Sequence, residues 1–407
     1  MMTVAGARLA AELLSAQGRA DPYPIYRRLH EHGSVLCVPD GPTLVVGHTA
    51  ARVALRDRGL LVEDAEHLDT VAPFWRTMPS RRLLGDAMIL VNGDAHDRMR
   101  RLVGRAFTVH RVDALRPLVA GRIGRLLDRL VALGASGGPV DLMAEFAFPL
   151  PVNVVGDLLG VPDADRPQLR LPIAELARAL EPDWPGADLT EADRAALALS
   201  EYFHWLLERR RESPRADLIS AMLAGNVTAD DPLSSAELVA NTVFLLLAGF
   251  ETTVGLLGNG FQMLVDHPAE LTRLRRRPER ATAFVTELLR CQAPVQMTAR
   301  RAARDLEIDG VAVHAGGPVI ILIAAANRDP SRFAEPDRFD PARPANDPLS
   351  FSGGVHYCLG ARLARLEGEL AFSMLATRFA RLSIAGTPRL LDRFNLRGYA
   401  TLPVSVG

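Results

Sequence analysis

The chain has 407 residues, 48% of them apolar, with a formal charge of −1. It can bury a large core, has no global field to draw in nucleic acid, and by length alone would make two or three domains. Cys37, Cys291 and Cys358 have no paired spacing, which argues against a disulfide framework and a zinc site. All 47 basic residues are arginine, a bias of genome composition rather than of chemistry. The longest uncharged apolar stretch, Val243 to Phe250, is too short to span a bilayer, and the N-terminus reads as neither signal peptide nor anchor. A cytoplasmic protein with no membrane or nucleic-acid partner is expected.

In chain order, residues 33–47 alternate strand-like apolar positions around Pro39-Asp40-Gly41-Pro42 and read as a hairpin. Residues 60–92 have no sustained period and read as a long irregular loop, a form that often serves as a binding lid. His96 and Arg100 stand at i, i+4 and share one helix face; alone, such a pair is an ordinary solvated one. Arg98, Arg101 and Arg105 make that helix basic. Residues 110–232 read as several helices broken at Gly134 to Pro139, Pro162, Pro182 to Gly186 and Ser213-Pro214, and carry no specific chemistry.

A long segment starts at Ser234 or Ser235 with a capping signal in Glu237, and from Leu238 to Val265 it is apolar on nearly all sides. A helix through the core is expected at about 235–266. Inside it lies Ala248-Gly249-Phe250-Glu251-Thr252-Thr253. An acid and a hydroxyl in a buried helix need partners, small Ala248 and Gly249 leave a groove, and a threonine hydroxyl can divert a backbone carbonyl. The plain alternative is a helix kink with satisfied polar groups. A further helix at 281–290 carries Glu287 and Arg290 at i, i+3 and stops before Pro294. Residues 306–313 read as a hairpin around Asp309-Gly310, and 319–323 as a strand.

Ten residues near the C-terminus, Phe351 to Gly360, read F-S-G-G-V-H-Y-C-L-G and open an amphipathic segment through Leu363, Leu366, Leu370 and Met374. A thiol at a helix N-terminus meets unpaired N–H groups that favour thiolate. Glycines let backbone approach a flat, bulky object. A thiolate bound axially to haem iron is the chemistry this suggests, the bland alternative being a buried free cysteine after a glycine turn.

At these residues the chain resembles the cytochrome P-450 family, whose haem loop reads F-x-x-G-x-H-x-C-x-G. The resemblance extends to H-x-x-x-R at His96 and Arg100, to A/G-G-x-D/E-T-T at Ala248 to Thr253, to E-x-x-R at Glu287 and Arg290, and to Pro336-Asp337-Arg338-Phe339. It covers about residues 20 to 405 and departs at Ser352, where many members have glycine. It implies one mainly α, triangular domain over 1–407 with a small β-rich region, a flexible substrate-access loop at about 60–92, and a haem-thiolate loop at 351–360.

The implied cofactor is haem b (iron protoporphyrin IX), with Cys358 as the metal ligand. His96, Arg100, Arg300 and His356 would face the propionates, and Phe351, Gly354, Gly360, Ala248 and Gly249 would complete the cradle. Glu251 and Thr252 would be the catalytic proton relay. Glu287, Arg290 and Arg338 would form a buried ionic lock. An apolar pocket would draw on Trp75, Met88, Ile89, Phe244, Val295, Met297 and Phe394.

The implied reaction is monooxygenation of a hydrophobic small molecule by dioxygen, with electrons from a ferredoxin and its reductase. A polyketide, terpenoid or peptide secondary metabolite is the expected substrate class, and the basic helix could attract an acidic redox partner. Oxidative C–C or C–N coupling or desaturation is the alternative on the same haem, and a non-catalytic haem sensor the alternative from another class. A peroxide-driven enzyme is disfavoured, because such members dispense with the acid–threonine pair.

Overall fold

The computed structural model describes residues 4–104, 107–135, 137–182 and 188–406. Backbone contacts gather the chain into two compact units, each assembled from separate stretches: Glu63–Val254 with Arg362–Ala371, and Met1–Val62 with Gly255–Ala361 and Phe372–Gly407.

The unit built on Glu63–Val254 is mainly helical. It contains α1 (Pro79–Gly85), α2 (Gly93–Gly104), α3 (Thr190–Glu212) and the first part of α4 (Ser235–Asp266). Helix α3 carries Glu191 and Asp193 in its first turn and Arg209, Arg210 and Arg211 in its last, the order the helix dipole favours. Helix α4 opens on a reciprocal capping box: Glu237 N–H donates to Ser234 Oγ at 3.2 Å, and Ser234 N–H donates to Glu237 Oε2 at 2.7 Å. Ser234 is therefore the cap. By length and composition α4 could cross a membrane, but 72% of its most apolar window is buried inside the protein, so core packing accounts for its apolar character.

Residues 60–92 are not the irregular loop their lack of period suggests. They fold into short helical turns at Ala65–Val71, Pro73–Thr77, α1 and Met88–Leu90. The order comes from a small core of the segment's own. Trp75 is 3% exposed and lies so close to Gly85 that a Cβ there would stand 2.8 Å from the ring. Its indole N–H donates to Asp69 Oδ1 at 2.9 Å, and Arg76 grips the same carboxylate with two bonds of 2.7 Å.

The other unit holds most of the β structure. Strands β1 (Val35–Cys37), β2 (Thr43–Val45), β3 (Leu60–Leu61) and β4 (Thr298–Ala302) join with β7 (Pro318–Ile321) in the order β1-β2-β7-β4-β3. β2 and β7 run parallel and the other neighbours antiparallel. β5 (Leu306–Ile308) and β6 (Val311–Val313) make a separate hairpin whose turn residues, Asp309 and Gly310, both have positive φ (49° and 79°), the geometry that Asp-Gly accommodates. Val45, Ala51, Ala302, Val319 and Ile321 form the fully buried floor of this region.

Helix α5 (Ala281–Cys291) places Glu287 and Arg290, both 0% exposed, in a double hydrogen bond of 2.8 Å. The expected third member is corrected. Arg338 contributes its carbonyl, which accepts from Arg290 Nη2 at 3.0 Å, while its guanidinium pairs with Glu335 in an exposed bridge. The carbonyls of Asn327, Pro336 and Arg338 take Arg290's remaining donors. Glu287 instead accepts from Asp340 N–H and Asn346 Nδ2 at 2.8 Å each, and from Arg343 Nε at 3.4 Å. Replacing Glu287 by Ala strands Arg290 and should cost about 3–5 kcal/mol. In urea unfolding, Arg343→Ala should lower the midpoint clearly and Arg338→Ala hardly at all; the reverse order would mean that Arg338 holds the lock.

Candidate active site

From Leu238 to Phe261, helix α4 is buried except at Phe244, Ala248, Gly249 and Thr252. These positions follow the i, i+4, i+8 rule with one neighbour, so they form a single open stripe on a helix otherwise packed all round. Thr252 Oγ donates to Ala248 O at 2.7 Å, one turn back within the stripe. Glu251 stands beside it, 8% exposed. The groove expected at Gly249 is occupied: a Cβ there would lie 2.7 Å from Val155 Cγ2. Gly249 is therefore small because a neighbouring helix (Pro149–Leu159) approaches it, and Ala248 and Thr252 keep the open face.

On α2, His96 is 1% exposed and its Nδ1 faces Asp97 Oδ1 at 3.2 Å. Burial pushes its pKa below the usual value; the Asp97 hydrogen bond opposes this, and the Arg100 charge adds to it. The basic patch expected here shrinks. Arg98 is neutralised by Glu237 and by Asp231 at 3.3 Å, Arg101 is exposed, and Arg105 lies outside the described residues.

The cysteine loop is fixed by its own backbone. Cys358 N–H donates to Phe351 O at 2.9 Å, Tyr357 N–H to Gly354 O at 3.1 Å, and Ser352 N–H to Leu349 O at 2.7 Å. Gly354 has φ 63°, and a Cβ there would come within 2.5 Å of Leu55 O, so no other residue fits. His356 ends the short 3-10 turn Gly354–His356 and is half-buried. Helix α6 (Ala361–Arg378) begins three residues after Cys358, with Gly360, which has no side chain to cap it, at its N-terminus. The cysteine thus precedes the helix rather than opening it. At Gly360 a Cβ would meet nothing within 4 Å, so protein packing does not demand this glycine.

Strand alternation separates Arg300 from Arg301. Arg300 is the buried one, 5% exposed, and its Nη1 donates to Thr298 Oγ1 and Ala299 O at 2.7 Å each. Among the described residues no carboxylate pairs with it, and burial pushes its guanidinium down to about 10. Of the other cysteines, Cys291 is buried against Arg290 and Glu287, and burial pushes its thiol up to about 12. An unneutralised buried cation, a cysteine in a rigid loop and an undemanded glycine fit an iron porphyrin with anionic side chains.

Of the expected pocket residues, Phe244 lies in the open stripe and Ile89 is half-buried, whereas Trp75 and Met88 are buried. Val295 bridges to Leu396. Met297 and Phe394 sit in the apolar cluster with Leu9, Ile25 and Tyr26. Two polar residues escaped the sequence reading. Asn241, 0% exposed on α4, accepts from Met88 N–H at 3.1 Å, and an asparagine inside so apolar a run was a visible signal. Glu367 on α6 is 1% exposed, and its Oε2 has no hydrogen-bond partner.

The chain matches the family model "Cytochrome P450" over residues 25–395. It belongs to the cytochrome P450 family, whose members are haem-iron monooxygenases. It is 39% identical to the Vitamin D(3) 25-hydroxylase of Pseudonocardia autotrophica (97% of this chain, 96% of that one). It is 36% identical to the 6-deoxyerythronolide B hydroxylase of Saccharopolyspora erythraea (92% of each). Among solved structures, P450BioI in complex with a hexadec-9Z-enoic acid ligated acyl carrier protein superposes with a TM-score of 0.88 at 32% identity, covering 96% of this chain and 99% of that one. The mainly α architecture with its small β region is the cytochrome P450 fold.

Burial pushes the Glu367 carboxyl up to about 8. Its folded value lies above the unfolded one, so the stability it contributes is complete below the unfolded pKa and is lost as pH rises through about 8. Glu367→Gln should therefore gain stability over the parent between pH ~4.5 and ~8 and flatten the curve there. Urea midpoints at several pH values check this; parallel curves would mean that the carboxyl is ionised in the fold.

Proposed function

We propose that this chain is a monooxygenase that holds haem b through Cys358. It takes two electrons from a separate ferredoxin and its reductase, and hydroxylates a hydrophobic small molecule of the secondary-metabolite kind, such as a polyketide, terpenoid or peptide. The open stripe of α4 carries the reading, because it presents the Thr252 hydroxyl, next in sequence to the buried acid Glu251, on a helix whose residues 238–261 are otherwise buried. The hydroxylase names of the relatives support the reaction type. A single-domain reading rests on the family match, which runs unbroken from residue 25 to 395. The cytoplasmic location rests on resemblance to the soluble bacterial type.

When bound, a thiolate-ligated haem supplies dioxygen activation for inserting one oxygen atom into a C–H bond. Cys358 would hold the iron, presented by a loop whose Ser352, Tyr357 and Cys358 N–H groups are bonded to nearby backbone carbonyls. Arg300 and Arg100 would neutralise the two propionates, and His96 and His356 would donate hydrogen bonds to them; for Arg300 this supplies the anion its burial requires. Thr252 Oγ, anchored to Ala248 O through its own hydrogen, keeps lone pairs free to accept a hydrogen bond in the stripe. Rotation about Cβ–Oγ would let it pass a proton outward, and the Glu251 carboxyl would replace that proton. Phe244 and Ile89 would give the substrate an apolar wall.

Thr252→Ala should keep haem but lower product formation roughly tenfold or more and send the electrons to peroxide. NADPH consumption with surrogate redox partners, read against peroxide and product, checks this; full coupling would remove the relay role. Cys358→Ala should lose the red-shifted ferrous–CO spectrum, and retention of that spectrum would point to another iron ligand.

A further inference from the structure

Between α3 and the helix Arg166–Leu176, both in the unit built on Glu63–Val254, lies a groove of about 450 Å³. That volume falls in the ~300–1,000 Å³ range of small-molecule sites. Its apolar surface comes from Leu169, Pro172 and Leu199 and from two aromatic rings, Tyr202 and Trp205, with centroids 5.6 Å apart. Trp205 is 43% exposed as part of this surface rather than as an isolated side chain. The polar groups around these rings favour one sign of charge. Tyr202 O–H is already committed, donating to Asp165 Oδ2 at 2.7 Å. Glu201 brings the one formal charge of the lining, and among the described residues no cation pairs with it. Pro172, inside its helix, has no N–H to give the carbonyl of Gln168 four residues back, and its ring pushes that carbonyl aside. Gln168 and Pro172 both line the groove, so a carbonyl that the helix does not satisfy joins the carboxylate there.

We propose that this groove binds an organic cation, a tertiary or quaternary ammonium carried on an apolar body. Aromatic faces attract such a group through the ring quadrupole, and the Glu201 carboxylate supplies the counter-charge. The apolar body is matched by the leucines and Pro172. The protein itself shows that the indole takes a cation: the Arg209 guanidinium lies over the Trp205 ring, 5.0 Å from its centroid. An anion would meet a carboxylate and an unsatisfied carbonyl with no basic group in the lining. The site owes nothing to the haem, so its test stands whether or not the protein is a monooxygenase.

Isothermal titration calorimetry of the full chain with (4-phenylbutyl)trimethylammonium tests the site, since a quaternary nitrogen cannot ligate iron. Saturable binding with Kd below about 1 mM is expected, roughly tenfold weaker binding of neutral 4-phenylbutanol, and no saturation by 4-phenylbutanesulfonate. Glu201→Gln should raise Kd roughly fivefold and Trp205→Ala roughly tenfold. Arg209→Ala frees a ring face and removes a repelling charge, so it should lower Kd roughly threefold, whereas mere loosening of α3 would raise it. No saturable heat up to about 5 mM, or a Kd that neither Glu201→Gln nor Trp205→Ala moves, overturns the site. A haem Soret shift that tracks the heat would put the probe at the haem and overturns it too. Sulfonate binding as tight as ammonium binding overturns the ligand class. A dimer seen by light scattering at micromolar chain concentration and dissolved by Trp205→Ala would give the groove to a second copy, and overturns the proposal as well.

Discussion

A guanidinium withdrawn from water needs an anion, and the burial pattern of arginine in this protein turns on that need. Five arginines are buried among the described residues: Arg166, Arg210, Arg290, Arg300 and Arg328. Four have a carboxylate within 2.8 Å, namely Asp157, Asp217, Glu287 and Asp337. Arg300 has a threonine hydroxyl and a carbonyl instead, and its guanidinium shows the effect in a depressed pKa. Among the described residues, the other buried arginines are balanced by the chain's own acids and Arg300 is not, so an anion from outside the chain would fit there. In the reading proposed above the propionates of haem would be such anions, and the cysteine loop belongs to the same unit.

The sequence disclosed those features in which chemistry and local geometry coincide. Asp309-Gly310 specifies a two-residue turn by itself, and the hairpin follows. Ser234 and Glu237 cap each other across three residues, so the start of α4 was readable. Glu287 and Arg290 meet on one helix face, so their bond was readable too, but the rest of their network was not. Whether Arg338 or Arg343 turns inward depends on which carbonyls Arg290 has already used, and that is settled by the path of the chain from 327 to 346. Residues 60–92 lacked a period because each turn is too short to show one; a Trp–Gly contact and a shared aspartate give them order. The Asp193–Ser80 bond spans 113 residues and left no trace in spacing.

Helix α4 shows how one element serves two demands. Its buried faces need only apolar bulk, and many residues could supply it. Its open stripe pairs a small residue at 248 with the hydroxyl at 252, which donates to the backbone carbonyl of 248. Gly249 meets a third demand, the approach of Val155, which in sequence looked like part of the second. A small residue beside a polar one therefore does not by itself mark a cavity; its missing side chain can be filled by a neighbouring helix.

Ser352 makes the same point about strain. Its φ of 62° is a conformation that glycine adopts freely and serine at a cost of about 1–2 kcal/mol, and its Oγ is buried without a hydrogen-bond partner. Nothing local repays the serine. The loop keeps its shape because Ser352 N–H, Tyr357 N–H and Cys358 N–H are each already bonded to loop carbonyls, and Gly354 is pressed against Leu55. Such over-determination is what a strained residue requires in order to persist. Cys358 shares in this, since its own N–H is one of the bonds that hold the loop.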